Sequence, residues 1–334
     1  MLDRIFCLVG WICVFCAGPL HAAFSDDDPA QIHMVTFRGC EEACQGFQDY
    51  FADRELPVEI TVTDIARDQS VLPDLVTRLR AEEPDLVVTW GTSVSTALIG
   101  TLENGEATPL GDIPVLFMIV ADPVRSGLIQ DYTASGRPTV TGVRNRVPEE
   151  AQLRSLFEYF EPRASGVLND ESEANSGYNT DELIPLAETF GFQLIEATYS
   201  PGPGGVVDPA EIPQKIAELA EQGAEAIYVG SSSFNLQHAD VFTASALEQG
   251  LPVFSAYEQM VSNADALMAV ANSYVNVGKL AASQANSILF EETAPGDMPI
   301  ATLDRYSIII NMRVARALEL YPPIQLIGIA EIVE

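Results

Sequence analysis

The sequence predicts an α/β protein of two similar lobes. Short apolar runs rich in β-formers alternate with stretches at helical spacing from residue 31 onward, and the cycle begins again after residue 143. A length of 334 residues suits two α/β lobes of ordinary size. With 47% hydrophobic and 19% charged residues, the composition supplies a sizeable core and excludes wholesale disorder.

The elements follow in order. Ile32 to Phe37 reads as a strand, and residues 41–52 as a helix. Val58 to Val62 alternates as a strand, and residues 71–81 return to helical spacing through Leu72, Leu75, Val76 and Leu79. Leu86 to Trp90 is a buried strand, residues 93–102 a helix, and Pro114 to Val120 another buried strand. After Val140-Thr141-Gly142-Val143, a helix over 149–160 leads to the strand Gly166-Val167-Leu168. A helix over 175–190, a strand over 192–198 and a helix over 212–222 come next. Ala226 to Val229 is a strand, 239–249 a helix, and Pro252 to Ser255 a strand. Ala266 to Ala271 is a further strand, and 278–290 an Ala-rich helix. Arg305 to Asn311 is a strand, followed by a helix to Leu320 that Pro322-Pro323 end.

Charge excludes whole classes of function. Asp and Glu number 48 against 17 Lys and Arg, a net charge of −31 that repels phosphate backbones and anionic lipid. Nucleic-acid and peripheral-membrane roles are therefore not expected. Lys215 and Lys279 are the only lysines, a composition that points to salty surroundings where screening tolerates self-repulsion.

Met1 to Arg4, the apolar run Ile5 to Ala17 and the small residues around Ala22 and Ala23 read as a signal peptide spanning 1–23, cleaved near Ala22 or Ala23. The run is too short to span a bilayer. Cys7, Cys13 and Cys16 leave with it, and bulky Phe15 before Cys16 argues against lipidation, so the expected compartment is a periplasm. Cys40 and Cys44 remain. In an oxidising compartment their default is one disulfide, which requires Cys40 to lie in the non-helical entry to the first helix.

No catalytic constellation is visible. His33 sits inside a strand and reads as structural, and His238 has no motif around it. Gly230-Ser231-Ser232-Ser233-Phe234 lacks the second glycine of a nucleophile elbow. No metal motif, phosphate-binding motif or cofactor fingerprint occurs, so no cofactor or metal is expected. The pattern favours a binding protein over an enzyme.

Ligands of open α/β sheets sit beyond the carboxyl ends of the strands. Trp90-Gly91-Thr92-Ser93 opens a helix there, with Gly91 permitting close approach and a helix dipole suited to a carboxylate; plain capping by Thr92 and Ser93 is the bland alternative. Phe37 and Arg38 offer an aromatic wall and a cation, unless the arginine is merely solvated. Asp122 can receive an ammonium group or cap a turn. The second lobe contributes Asn175, Ser176, Ser231, Ser232, Ser233 and Tyr257, and Tyr274 lies near the hinge. Hydroxyls, amides and aromatics suit a small zwitterion or polar solute.

These residues carry a resemblance. Asp122-Pro123-Val124-Arg125-Ser126-Gly127-Leu128 is similar to the DPV-x-x-GL segment of the ABC transporter substrate-binding family, whose members include tryptophan and tyrosine binders. Thr141-Gly142-Val143, Glu173-Ala174-Asn175-Ser176, Gly278 through Leu289 with Met298-Pro299-Ile300, and Ile309-Ile310-Asn311-Met312 with Ala315 and Pro323 resemble further segments in order. Arg38-Gly39-Cys40 departs from the usual first loop. The resemblance implies a type I periplasmic-binding fold: two Rossmann-like lobes with parallel sheets joined by a hinge, ligand between them. It places lobe one at 30–144 plus 266–298 and lobe two at 145–265 plus 299–334. It assigns pocket positions to Thr92, Ser93, Asp122, Asn175, Ser176 and the loop Ser231 to Ser233. The expected protein is a monomer that hands a small-molecule ligand, an amino acid or related compound, to an ABC permease in the inner membrane. A ligand sensor of the same fold and an exported α/β hydrolase are the alternatives.

Overall fold

The computed structural model describes residues 24–202 and 206–334. The expected signal peptide, residues 1–23, and residues 203–205 lie outside the described residues. Two sheets organise the chain. The first has the order β11-β5-β4-β3-β1-β2, built from β1 (Ala30–Thr36), β2 (Val58–Asp64), β3 (Leu86–Trp90), β4 (Val115–Val120), β5 (Val140–Arg144) and β11 (Ala301–Thr302). All of its pairings are parallel. Helices α1 (Glu42–Ala52), α2 (Leu72–Glu82) and α3 (Thr92–Ile99) provide its crossovers. β3 and β4 are buried along their whole length, which explains why they read as unbroken apolar runs and not as alternating ones.

The second sheet has the order β13-β12-β10-β9-β8-β6-β7. Its parallel body is β6 (Ala164–Asn169), β7 (Gln193–Thr198), β8 (Ala226–Val229), β9 (Val253–Ser255) and β10 (Met268–Ala271). Helices α4 (Glu149–Tyr159), α5 (Ala174–Phe190), α6 (Ile212–Glu221), α7 (Ser233–Gln237), α8 (Ala239–Glu248) and α9 (Gln259–Ser262) accompany it. β12 (Ser307–Asn311) runs antiparallel to β10, and β13 (Glu331–Val333) extends the edge beyond it. The sheet is thus mostly, not wholly, parallel. None of the described helices is long and apolar enough to cross a membrane.

The lobe boundary expected at residue 266 moves. β10 pairs with β9 and β12, so the chain stays in the second lobe to Ala271 and crosses back only at 272–273. It then forms α10 (Tyr274–Phe290) on the first lobe and adds β11 to β5, leaving that lobe again at 303–306 rather than at 299. The helix expected to run to Leu320 is shorter, as α11 (Met312–Ala317), and a short α12 (Ile324–Ile327) precedes β13.

α10 starts four residues earlier than its Ala-rich stretch suggested, and it packs on α1 through two glycines. A Cβ on Gly278 would lie 2.0 Å from the carbonyl oxygen of Ala43, and one on Gly46 would lie 2.2 Å from that of Val275. The two helices therefore meet backbone to backbone, a contact no other residue type permits. Cys40 and Cys44 are disulfide-bonded with a Cα–Cα distance of 5.1 Å, and Cys40 lies in a bend just before the extended N-cap Glu41 of α1.

Candidate functional site

The carboxyl ends of the parallel strands of both sheets face one central cavity. From the first lobe come Phe37, Arg38, Trp90, Gly91, Thr92 and Ser93. From the second come Asn175, Ser231, Ser233 and Tyr257, with Tyr274 at the second crossing. These eleven expected residues are brought together.

α3 points its N-terminus at the cavity. Its N-cap is Gly91 at φ 93°, which has no side chain to offer, and no side chain caps the helix. The hydroxyls of Thr92 and Ser93 are therefore not spent on capping, and the helix end keeps its partial positive charge for a ligand. Arg38 is not solvated: its side chain is 8% exposed, its Nε donates to Glu41 Oε1 at 2.7 Å and its Nη2 to Glu41 Oε2 at 3.0 Å. Its guanidinium stands 4.9 Å from the centre of the Trp90 ring, which it covers. Burial opposes the charge on Arg38, but Glu41 outweighs it, and the group stays cationic.

Across the cavity the second lobe presents a hydrogen-bonded polar wall. Asn175 Nδ2 donates to Ser231 Oγ at 3.0 Å, and the Ser233 amide to Glu173 Oε2 at 2.6 Å. Tyr257 accepts from the Ser232 amide at 3.0 Å and lies edge-on to Tyr274, ring centres 6.4 Å apart. Burial raises both phenols above their ordinary range, so they remain neutral donors.

Three expected residues lie elsewhere. Asp122 accepts the Arg125 amide at 2.9 Å, the turn-capping alternative, and lines a neighbouring groove. Ser176 faces inward, accepting from the Asp170 amide at 3.2 Å and donating to Asn169 Oδ1. Ser232 caps α7, accepting the Asn235 amide at 3.1 Å. His33 is a satisfied core histidine, with Nε2 2.9 Å from Thr63 Oγ1 and burial lowering its pKa.

Sequence reading missed the first crossing, Asn145-Arg146-Val147, along with Glu173 and Ile119. Arg146 is buried, and its Nη2 lies 2.8 Å from Glu149 Oε1 without hydrogen-bond alignment. Burial opposes its charge, but Glu149 and the surrounding tyrosines outweigh that and raise its pKa. Nε and Nη2 of Arg146, Oδ1 of Asn145 and Nε1 of Trp90 are buried with no hydrogen-bond partner among the described residues. Unpaired buried polar atoms are rare in folded proteins, and these four belong to residues that line the cavity. Ile119 reaches the cavity because β4 bulges between Phe117 and Val120, placing a β-branched residue at φ 56°. Such a conformation costs about 1–3 kcal/mol. No local motif announces it.

The lobes are closed on each other. Arg67, in a loop where Ala66 (φ 47°) and Arg67 (φ 65°) are both left-handed, reaches Gln237 Oε1 at 2.7 Å and Glu173 Oε1 at 3.3 Å in the second lobe. Arg125 bonds Asp181 and the carbonyl of Tyr178, and Gln259 bonds Glu42. Among the described residues no cluster of His, Cys, Asp or Glu could hold a metal ion.

Residues 30–331 match the family model described as ABC transporter substrate binding protein. A tyrosine-binding protein of Clostridioides difficile is 24% identical over 293 residues, covering 86% of this chain and 79% of the relative. Among solved structures, an ABC domain in complex with L-Trp from Streptococcus pneumonia superposes with TM-score 0.78 at 21% identity, over 91% of this chain and 100% of that one. A conserved domain protein of Vibrio cholerae gives TM-score 0.78 at 21% identity, over 91% and 99%.

Proposed function

This chain belongs to the ABC transporter substrate-binding protein family and is not an enzyme, and from that premise we propose that it binds a free amino acid with an aromatic or large apolar side chain. One observation carries the reading: an aromatic cavity lined by both a buried arginine with unpartnered N–H donors and a buried carboxylate. The α-carboxylate pairs with Arg146 Nε and Nη2 and the N-terminus of α3, where Thr92 and Ser93 add hydroxyls. The ammonium faces Glu173 and Asn145 Oδ1. Phe37, Trp90, Tyr257 and Tyr274 enclose the side chain, the role aromatic rings fill at low entropic cost. A relative named for tyrosine and a similarly folded domain holding L-Trp agree in ligand class.

In this proposal the protein is exported, its signal removed near Ala22 or Ala23, and works as a monomer. Closure of the lobes on the ligand presents a paired-lobe surface to a membrane permease. The ligand drives closure because Thr92 and Ser93 sit on the first lobe and Glu173 and Asn175 on the second, contacts available together only when closed.

Trp90 is the one tryptophan among the described residues and lines the cavity. Titration of the purified protein with the amino acids, following Trp90 fluorescence and melting temperature, tests the reading. A saturable signal with a rise in melting temperature for aromatic or large aliphatic amino acids is the expected result. Saturation only with sugars or nucleosides would overturn the ligand class.

A further inference from the structure

We propose that the cleft holds a second subsite beside the central cavity that takes a distal anionic group of the ligand, a carboxylate or phosphate set apart from the amino-acid head; this rests on the amino-acid reading above. A groove of about 380 Å³ adjoins the cavity and shares Ala121, Arg146 and Asn175 with it. A ligand seated in the cavity can therefore continue into the groove without crossing a wall.

Arg144 marks the subsite. Arg38, Arg67, Arg125 and Arg146 each have a carboxylate within 4.0 Å: Glu41, Glu173, Asp181 and Glu149. Arg144 has none among the described residues, although the chain carries 48 acidic residues against 17 basic ones. Its guanidinium lies 4.6 Å from the centre of the Tyr132 ring, which fixes the plane of the fork, and its Nε is buried without a hydrogen-bond partner. Arg146, at the join of groove and cavity, also has an unpartnered Nε. With the Arg146 donor assigned to the ligand's α-carboxylate, the buried Arg144 Nε is left without an acceptor, a desolvation cost that an acceptor from outside the chain would return. A planar fork of donors matches a carboxylate or phosphate.

The groove also carries Asp122, Glu149 and Glu182, and each is already engaged. Asp122 accepts the Arg125 amide, Glu149 accepts Asn179 Nδ2 and pairs with Arg146, and Glu182 lies 4.0 Å from Arg125. The acidic surface as a whole repels a free anion. An anion tethered to a ligand already held in the cavity escapes that penalty through its high effective concentration, which is why the occupant is assigned to the ligand and not to a dissolved ion.

The test compares ligands that differ by one charge. Calorimetric titrations of the wild type and of Arg144→Gln use tyrosine against phosphotyrosine, and tyrosyl-asparagine against tyrosyl-aspartate. At least one charged member binds the wild type ten-fold or more tighter than its neutral counterpart, and Arg144→Gln abolishes that advantage while tyrosine affinity stays within two-fold. The subsite is refuted if tyrosine binds but neither charged ligand gains, or if the gain survives in Arg144→Gln. Failure of every ligand in the set would instead remove the amino-acid reading. The subsite, which rests on that reading, falls with it.

Discussion

Arg67 and Arg144 are both arginines of the first lobe, each lining a groove that runs into the cavity, and their surroundings are opposite. Arg67 is delivered by two consecutive left-handed residues and finds Glu173 and Gln237 waiting in the second lobe. Arg144 ends a regular strand, needs no strain to reach its place, and finds no acceptor for its buried Nε among the described residues. Backbone strain in the first case serves a contact internal to the protein, a latch between lobes. Unmet hydrogen bonding in the second leaves a place for something that is not protein. Strain and dissatisfaction are separate signals, and here they separate closure from recognition.

Arg146 stands where the cavity meets the Arg144 groove, so removing it should erase the recognition side of the comparison. Arg146→Ala is expected to weaken amino-acid binding at least a hundred-fold by calorimetry, since the buried charged donor to the ligand carboxylate is lost. A loss below ten-fold would take the carboxylate away from Arg146. Arg67→Ala should act on closure alone, with about a ten-fold weaker affinity read as faster ligand dissociation in stopped-flow fluorescence. An unchanged dissociation rate would show that Arg67 is no latch. Thr92→Ala with Ser93→Ala should cost several-fold in affinity at unchanged melting temperature, because neither hydroxyl caps α3; unaltered affinity removes this loop from the site.

Glu173 serves both sides, and its titration sharpens the contrast. Burial, followed by the neighbouring Asp170, raises its pKa above the ordinary 4.5, against the opposing Ser233 amide and Arg67. The stability this shift contributes is complete below pH 4.5 and is lost as pH rises through the folded-state value. Glu173→Gln lacks that loss, so the stability of the wild type relative to the variant should fall as pH rises above 4.5 in denaturant titrations. A flat difference would mean that the carboxylate is not penalised by burial. The smallest effect on binding belongs to Cys40→Ser. Opening so short a loop costs about 2 kcal/mol in the chain-entropy account, seen as a lower melting temperature at unchanged affinity.

Much of this was legible in the chain. Buried strands β3 and β4 declared themselves as apolar runs, and Gly91 with its flanking Trp90, Thr92 and Ser93 was found because a strand end beside a helix start has a recognisable chemistry. The residues that escaped depend on tertiary events. Asn145 and Arg146 face the cavity only because the chain crosses between lobes there, and Arg146 in sequence is one more arginine in an acidic protein. Ile119 looks like any core residue of an apolar strand until the bulge turns it. Asp122, Ser176 and Ser232 were expected in the pocket for their chemistry, yet each is consumed by a neighbouring backbone amide. Short polar side chains near turns meet such local demand first.

The glycine contact between α1 and α10 has a mechanical consequence. With Gly278 against Ala43 and Gly46 against Val275, neither helix can roll or slide without driving carbonyl oxygens into backbone. The two act as a single stiff beam, and Tyr274, which lines the cavity, is rooted in its first turn. Bending at this crossing is confined to Asn272 and Ser273, and Asn272 is itself pinned to the other strap by its bond to the Asn145 carbonyl at 3.1 Å. A fulcrum this short turns a small rotation at the pivot into a wide sweep at the rim, with the aromatic wall carried along as a rigid part of the lever.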